Sequence, residues 1–551
     1  MTISQRNKPS SWQPLLLSVF LIIGILIGIY FSNYFNKTNY SPNARKFGEV
    51  LNFIETDYVD TVNSKTLIEH AIAKMLEKLD PHTSYIPKQE IASVHAQLEA
   101  NFEGVGIEFY IIRDTIYVVA TIPNGPSQKA GLLAGDRIIK VDTNNVAGLG
   151  ITSTDVFNHL RGPKGSKVKV TVLRKSEKSL LEFTIERNKI PTHSLEASYM
   201  ASDSIGYIKI SRFSETTYNE FYASLKLLKE SGANQIILDL RDNPGGYMDM
   251  ATKIADEFLA ANLLIVYTIA KDYRFSNKQF ATKQGEFEDG SLIVLINQAS
   301  ASASEILAGA IQDNDRGLII GSRSFGKGLV QRPIELSDGS ELRLTISRYY
   351  TPCGRSIQKP YNSENIEEYS LELNKRFLHG EYFHADSIKF EDSLKFKTLK
   401  GRTVYGGGGI MPDLFIPQDT NNYSNYALQL LNKNIIKEYA LDFYSNHKTE
   451  LSKYTIEDFK KQNFISEKMI KELIAAGIAA GIKFKSHEFK ISKNLILNEL
   501  KAYLAKSTLG NNAYYEILNQ NDGVYIRALK SFRMARKIND MPNISKGNDS
   551  K

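Results

Sequence analysis

The stretch LIVLINQASASASEILAG, Leu292 to Gly309, runs from an apolar strand through a turn of small residues into a helix. Leu292–Ile296 contains no polar residue, as a fully buried strand requires. On either side the pattern alternates: IGYIKIS (205–211), TYNEFYASLKLLKES (217–231), QIILDLR (235–241), MATKIADEFL (250–259), ASEILAGAIQD (303–313) and RGLIIGS (316–322). Strand following helix over about 205–350 is the mark of an α/β layer, so the fold class is α/β and multidomain.

The turn inside the opening stretch has chemical potential. A hydroxyl at a helix start lies beside unpaired N–H groups and the positive end of the helix dipole, which stabilise developing negative charge. N-capping is the ordinary use of serine there. Ser300, Ser302 and Ser304 compete, and the residues alone do not choose between them. A second element, GSRSFGKGLVQ (321–331), sets Lys327 between Gly326 and Gly328 after the apolar Leu318–Ile320. A lysine enclosed this way loses solvation, which lowers its pKa and suits it to act as a base toward a serine. The Phe-Gly-Lys-Gly run lacks Walker spacing and a hydroxyl residue after the lysine, so a phosphate loop is set aside.

The N-terminal stretch LLLSVFLIIGILIGIYF (15–31) is uncharged, and Arg6 and Lys8 precede it. At 1.5 Å per residue it spans roughly 26 Å, close to a bilayer core of ~30 Å. It is followed by SNYFNKTNY (32–40), with aromatics where a small-x-small cleavage site would fall. The expectation is an uncleaved signal-anchor over 15–31, with residues 1–14 as a cytoplasmic tail; a cleaved signal peptide is the alternative. In a bacterium with two membranes this gives a single-pass inner-membrane protein with its catalytic region in the periplasm.

Residues 43–100 read as helical, from RKFGEVLNFIETDY (45–58) and KTLIEHAIAKMLEKL (65–79), with Asp80-Pro81 as the stop. Residues 101–187 turn to short β runs: VGIEFYI (105–111), TIYVVATI (115–122), DRIIKVD (136–142) and KVKVTVLR (167–174). This module resembles a PDZ domain through Gly104-Val105-Gly106-Ile107, Ala130-Gly131-Leu132 and Gly135-Asp136-Arg137-Ile138-Ile139. The resemblance implies that backbone at Val105, Gly106 and Ile107 receives a peptide's terminal carboxylate while the peptide adds as a strand. Residues 363–422 read as a linker and core-completing segment holding the Gly406–Gly409 run. Residues 423–551 read as a C-terminal helical domain. Its IAAGIAAGI stretch (474–482) has small residues at four-residue spacing, which permits close helix packing. Homo-oligomerisation, substrate holding or contact with an adaptor protein are the roles expected of it.

Composition narrows the classes. A net charge of +7, from 68 basic against 61 acidic residues, is too mild for a nucleic-acid partner. Cys353 is the only cysteine, so no intrachain disulfide can form. The nine histidines show no His-x-x-x-His or Cys/His grouping, which argues against a zinc peptidase.

Ordered motifs then point to one family. The chain resembles the carboxyl-terminal processing peptidases, or tail-specific proteases, over about residues 45–420. The match rests on LDPHTSY (79–85), the PDZ module, GYIKISRF (206–213), LDLRDNPGGY (238–247), SASASE (300–305), SFGKG (324–328) and YYTP (349–352). The resemblance implies a crotonase-like peptidase core over 188–362, with Ser302 as nucleophile, Lys327 as base and Gln331 orienting the lysine. It implies an oxyanion hole from the N–H of Gly245 or Gly246 and that of Ala303, with no metal and no cofactor. Glu305 supports the helix start or joins in catalysis, and Arg241 and Asn243 shape the turn. Asp80 and His82 fall in a structural turn, and Cys353 replaces a frequent serine as a buried small residue. The implied function is endoproteolysis of extracytoplasmic proteins near their C-termini, after PDZ capture of an apolar tail. The rival is a non-catalytic PDZ adaptor or chaperone, which would have a broken catalytic pair; a small-ester hydrolase would differ in substrate profile.

Overall fold

A computed structural model describes residues 12–35, 41–95, 99–282, 284–362, 366–389 and 391–542. Residues 1–11 of the expected cytoplasmic tail lie outside the described residues, as do 363–365 and 543–551 of the expected C-terminal segments. The chain divides into two compact units, 1–75 and 76–551.

The first unit is helical. Gln13–Phe35 forms a helix of 23 residues with no charged side chain. Its consecutive Leu15, Leu16 and Leu17 are all exposed, as are Phe20, Leu21 and Ile22, so apolar surface faces outward on every side. Described side chains in this helix run only from Leu15 to Gly28, and among described residues no helix is long and apolar enough to cross a membrane. Pro42–Asp57 follows, started by Pro42 in its first turn and by the Ser41 hydroxyl, which accepts from the Ala44 N–H at 3.2 Å.

In the second unit a six-stranded sheet organises the peptidase core. Its order is Leu195–Met200, Ile205–Ile210, Gln235–Asp239, Ser291–Ile296, Leu318–Gly321 and Leu414–Phe415. The first pair is antiparallel and the rest are parallel. Strand Ser291–Ile296 is buried at every residue because both faces are covered. Leu292, Val294 and Ile296 pack with Phe221, Leu225 and Leu307 from helices Thr217–Glu230 and Ala303–Asp313. The alternate residues Ile293 and Leu295 meet Tyr525, Ala528 and Phe532 from the last two helices, Gly523–Leu529 and Phe532–Asn539.

That second face changes the reading of 423–551 as one separate helical domain. Helices from Asn425 to Leu518 share their own core around Tyr426, Leu473, Ile496 and Leu504, but the final two helices complete the peptidase sheet. The small-residue stretch is used within the chain: a Cβ on Gly477 would come within 3.0 Å of Leu430, so Gly477 lets two helices of this bundle close up.

Much of the segment 363–422 is built into the core. It contributes helix Ile366–Leu378, the hairpin Lys395–Lys397 with Thr403–Tyr405, and the last strand of the central sheet. Its glycine run is a close-packing strap. Gly409 has φ +88°, and a Cβ there would lie 2.6 Å from the Ser324 carbonyl. The segment before the PDZ module also departs from a purely helical reading, because Ser84–Ile86 is a strand paired with Glu341–Tyr350.

The PDZ sheet runs Ile107–Ile111, Ile116–Thr121, Arg137–Val141, Lys167–Leu173 and Leu181–Glu186, which leaves one edge of Ile107–Ile111 unpaired. Helix Ser153–Leu160, started by a Thr152/Asp155 capping box, lies beside that edge. A ribbon of Asn101–Gly104 with Asn188–Pro191 joins the module to the core.

Candidate active site

Strand Ser291–Ile296 leads into the turn that carries the three serines. Ser300 is buried and its hydroxyl donates to the Leu240 carbonyl at 2.8 Å; Ser304 is buried and donates to the Asn243 carbonyl at 3.0 Å. Ser302 alone of the three lines an open cavity of about 560 Å³. Its backbone sits at φ 56°, ψ −115°, a conformation that costs a non-glycine residue roughly 1–3 kcal/mol. Such strain persists only where surrounding contacts impose it, and here they do.

Glu305 is the main one. Fully buried in the first turn of helix Ala303–Asp313, its carboxylate accepts from the Ser302 N–H at 2.9 Å and the Lys327 N–H at 2.9 Å. It also accepts from the Gly326 N–H at 2.8 Å and the Ser324 hydroxyl at 2.6 Å. One side chain therefore ties the serine turn to the lysine loop. Burial pushes its pKa up, while these hydrogen bonds pull it down. Tyr349 is a second tie, its hydroxyl donating to the Ser302 carbonyl at 3.1 Å and the Lys327 carbonyl at 2.5 Å.

Lys327 lines the same cavity. Among the described residues its Nζ has no hydrogen-bond or ion-pair partner. Burial, and then the nearby Arg343 guanidinium, hold its pKa below the ordinary lysine range. Gln331 lines the cavity too, but its amide donates to Thr345 Oγ1 at 3.3 Å rather than to the lysine. Thr345 in turn donates to Asp80 at 3.1 Å. Asp80 accepts from the N–H groups of His82 and Thr83 and from the Thr83 hydroxyl, so it organises a turn. His82 contacts the Tyr369 hydroxyl at 2.7 Å, and burial followed by the Lys327 charge lowers its pKa to about 4.

Across the cavity lies the Asn-Pro-Gly-Gly turn. Asn243 donates to the Ile210 carbonyl at 2.9 Å, and its side-chain oxygen accepts from the Gly245 N–H at 2.9 Å. That engages Gly245, whereas the N–H groups of Gly246 and Ala303 have no partner among the described residues. Gly246 has φ +141°, and a Cβ there would lie 2.1 Å from the Phe213 carbonyl, so only glycine fits. Arg241 is held by Asp239 at 2.6 Å and by Asp522 of the C-terminal region at 2.6 Å. Cys353 is half-buried rather than buried, and burial raises its thiol pKa to about 12, which makes it a poor nucleophile.

A second cavity, of about 690 Å³, runs along the Ile107–Ile111 edge. Val105 is buried and its carbonyl accepts from Ser127 N–H and Oγ; the Gly106 N–H has no partner among the described residues. Ile107 lines the cavity. Arg161 also lines it, its guanidinium stacked on Phe157 at 4.3 Å and Phe102 at 5.0 Å, with its buried Nε unpartnered. Arg212 lines both this cavity and the one holding Ser302.

Comparison with known proteins gives this geometry a family. The profile of peptidase family S41 matches residues 204–367, a PDZ domain matches 104–185, and the N-terminal domain of the activating protease CtpB matches 32–90. A carboxy-terminal-processing protease of Bartonella bacilliformis is 36% identical over 345 residues, covering 62% of this chain and 78% of that protein. The chain belongs to peptidase family S41. It is a carboxy-terminal-processing serine peptidase with a PDZ domain. CtpB of Bacillus subtilis is a further relative of this S41 peptidase, 32% identical over 353 residues, covering 64% of this chain and 71% of the relative. The PDZ domain of a carboxy-terminal protease from Vibrio cholerae, solved in complex with peptide, is 34% identical; it covers 16% of this chain and 97% of that one, with a TM-score of 0.15. Residues 426–510 match a family of unknown function.

Several supports of the S41 site are invisible in the sequence. Arg376 is buried and donates to the Ser324 carbonyl at 2.7 Å and the Phe325 carbonyl at 3.2 Å, bracing the lysine loop from helix Ile366–Leu378. Thr345 and Tyr349 lacked any local signal for their contacts, since each partner lies on another element. The charged residues of helix Ile366–Leu378 could have hinted at Arg376, because Glu372 stands four residues before it.

Proposed function

We propose that Ser302 and Lys327 are the catalytic pair of this peptidase, and that it cleaves extracytoplasmic proteins near their C-termini after PDZ capture of an apolar tail. The observation that carries the reading is Lys327 Nζ: partly enclosed, beside Arg343, without a partner among the described residues, and in one cavity with the only open serine of the turn. Ser302 Oγ attacks the scissile carbonyl while Lys327 takes its proton. The N–H groups of Gly246 and Ala303 receive the oxyanion, and Lys327 then returns the proton to the leaving amine. Water, deprotonated by the same lysine, hydrolyses the acyl-enzyme. Glu305, Tyr349 and the Gln331–Thr345–Asp80 chain position these groups. Ser302→Ala and Lys327→Ala should each abolish cleavage of an unfolded test protein with the fold retained by circular dichroism; substantial turnover in either variant defeats the assignment.

Tail capture draws support from the free edge of Ile107–Ile111, from Arg161 in the cavity along it, whose buried Nε has no partner among the described residues, and from the Gly106 N–H, which has none there either. Arg212, common to both cavities, lies where a captured chain would pass toward Ser302. The uncharged sequence 15–31, whose described side chains (15–28) are exposed, is what supports a single-pass anchor in the inner membrane of a two-membrane bacterium, with the catalytic region periplasmic. Alkaline-carbonate extraction and protease accessibility in spheroplasts test this. Release by carbonate, or protection of the catalytic region, would overturn it.

A further inference from the structure

One wall of the PDZ cavity comes from outside the PDZ module. Along the free edge strand, Ile107, Phe109 and Ile111 turn toward the PDZ core, while Glu108, Tyr110 and Ile112 face the C-terminal helical bundle. Lys506 Nζ pairs with Glu108 at 2.7 Å, and Leu441 shares an apolar cluster with Ile112 and Tyr117. Tyr117 OH and Ser445 Oγ lie 2.9 Å apart. Helix Ile435–Leu451 is thereby fixed against the outer face of the sheet, and Asn434, Lys437 and Glu438 at its start line the cavity.

A peptide added as a strand sends alternate side chains to opposite sides. The last residue and the third from last turn toward Phe109 and Phe157. The penultimate and the fourth from last turn the other way, toward the helix. The charges on that side are unequal. Glu108 is taken by Lys506, and Glu438 lies 3.8 Å from Arg113. Lys437 lies over the Tyr110 ring with no hydrogen bond or ion pair among the described residues. We propose that helix Ile435–Leu451 reads the outward row of a captured tail, with Lys437 selecting an acidic side chain in that row. The helical region matched only by a family of unknown function is then a specificity element. Burial and the neighbouring Lys506 lower the Lys437 pKa to about 8, so near pH 7 the ammonium is mostly charged and poorly solvated, a setting that favours a carboxylate.

The inference rests on PDZ tail capture, and its test separates the two. The full chain, carrying Ser302→Ala so that peptide is not consumed, is titrated by fluorescence anisotropy with labelled decapeptides ending in an apolar residue. Glu, Gln or Lys is placed at the fourth-from-last or the penultimate position. Glu should bind about fivefold tighter than Gln, equivalent to roughly 1 kcal/mol, and Lys weaker than Gln. Lys437→Glu should reverse this order and Lys437→Met should level it, while the same replacements at the third-from-last position respond to neither variant. If C-terminal amidation weakens binding but Glu, Gln and Lys bind alike in the outward row, the role of Lys437 is overturned and capture stands. If amidation has no effect, or no peptide binds, capture falls and the inference with it. The peptide series needs no change in helix Ile435–Leu451, so a misfolded variant cannot mask the outcome.

Discussion

The catalytic core and the C-terminal helical region make an instructive pair. In the core, groups that act together come from short segments, such as Ser302 with Glu305 or Gly326 with Lys327, and each segment carries its own glycines and small residues. In the C-terminal region the helices are regular but their partners are distant: Tyr525 and Phe532 cover the peptidase sheet, while Leu441 and Lys506 meet the PDZ sheet. Helical periodicity declares that a face is apolar, never which surface it covers. The two regions are therefore one machine built with different degrees of local encoding.

The contrast breaks most sharply at Glu305. Glu305→Ala would strand four donors in a buried turn, each costing about 1–3 kcal/mol. Peptidase activity should fall at least ~100-fold, as measured by cleavage of a labelled unfolded protein, with a lowered urea midpoint. Phe532→Ala sharpens the comparison from the other side. Although it lies in the last helix, it should destabilise the catalytic core by about 3–5 kcal/mol in urea unfolding, because it is buried on the central sheet. A change under ~1 kcal/mol would mean that the C-terminal region is independent after all.

Smaller effects concern the lysine and the strained serine. Arg343 disfavours the charged form of Lys327, so removing it raises the lysine pKa. With Lys327 as the proposed base, activity requires the neutral amine and rises with pH through that pKa; Arg343→Gln should therefore move the acid limb of kcat/KM to higher pH. At Ser302, φ 56° suits glycine better than alanine, so Ser302→Gly should be more stable than Ser302→Ala by about 1 kcal/mol in denaturant unfolding.

Much of the fold was legible because the central strand, buried on both faces, is apolar from Leu292 to Ile296. Gly106, Gly131 and Gly135 of the PDZ module and Gly245 and Gly246 of the Asn-Pro-Gly-Gly turn were legible because their positive φ favours glycine. Among the serines, local sequence offered no choice; tertiary contacts distinguish them, with Ser300 and Ser304 spent on the Leu240 and Asn243 carbonyls. The sequence showed the glycine run 406–409 but not its packing, since the atoms it meets, from Ser356, Leu394, Arg323 and Ser324, all lie on other segments. Which of Gly245 and Gly246 keeps a free N–H depended on where the Asn243 amide turns.

The most direct test of the Ser302–Lys327 pair is covalent labelling with a fluorophosphonate, with the site read by peptide mass spectrometry and the rate followed against pH. The account predicts label on Ser302, at a rate that rises with pH through a pKa below the ordinary lysine range and collapses in Lys327→Ala. Label on another residue, or an unchanged rate and pH profile in Lys327→Ala, would contradict it.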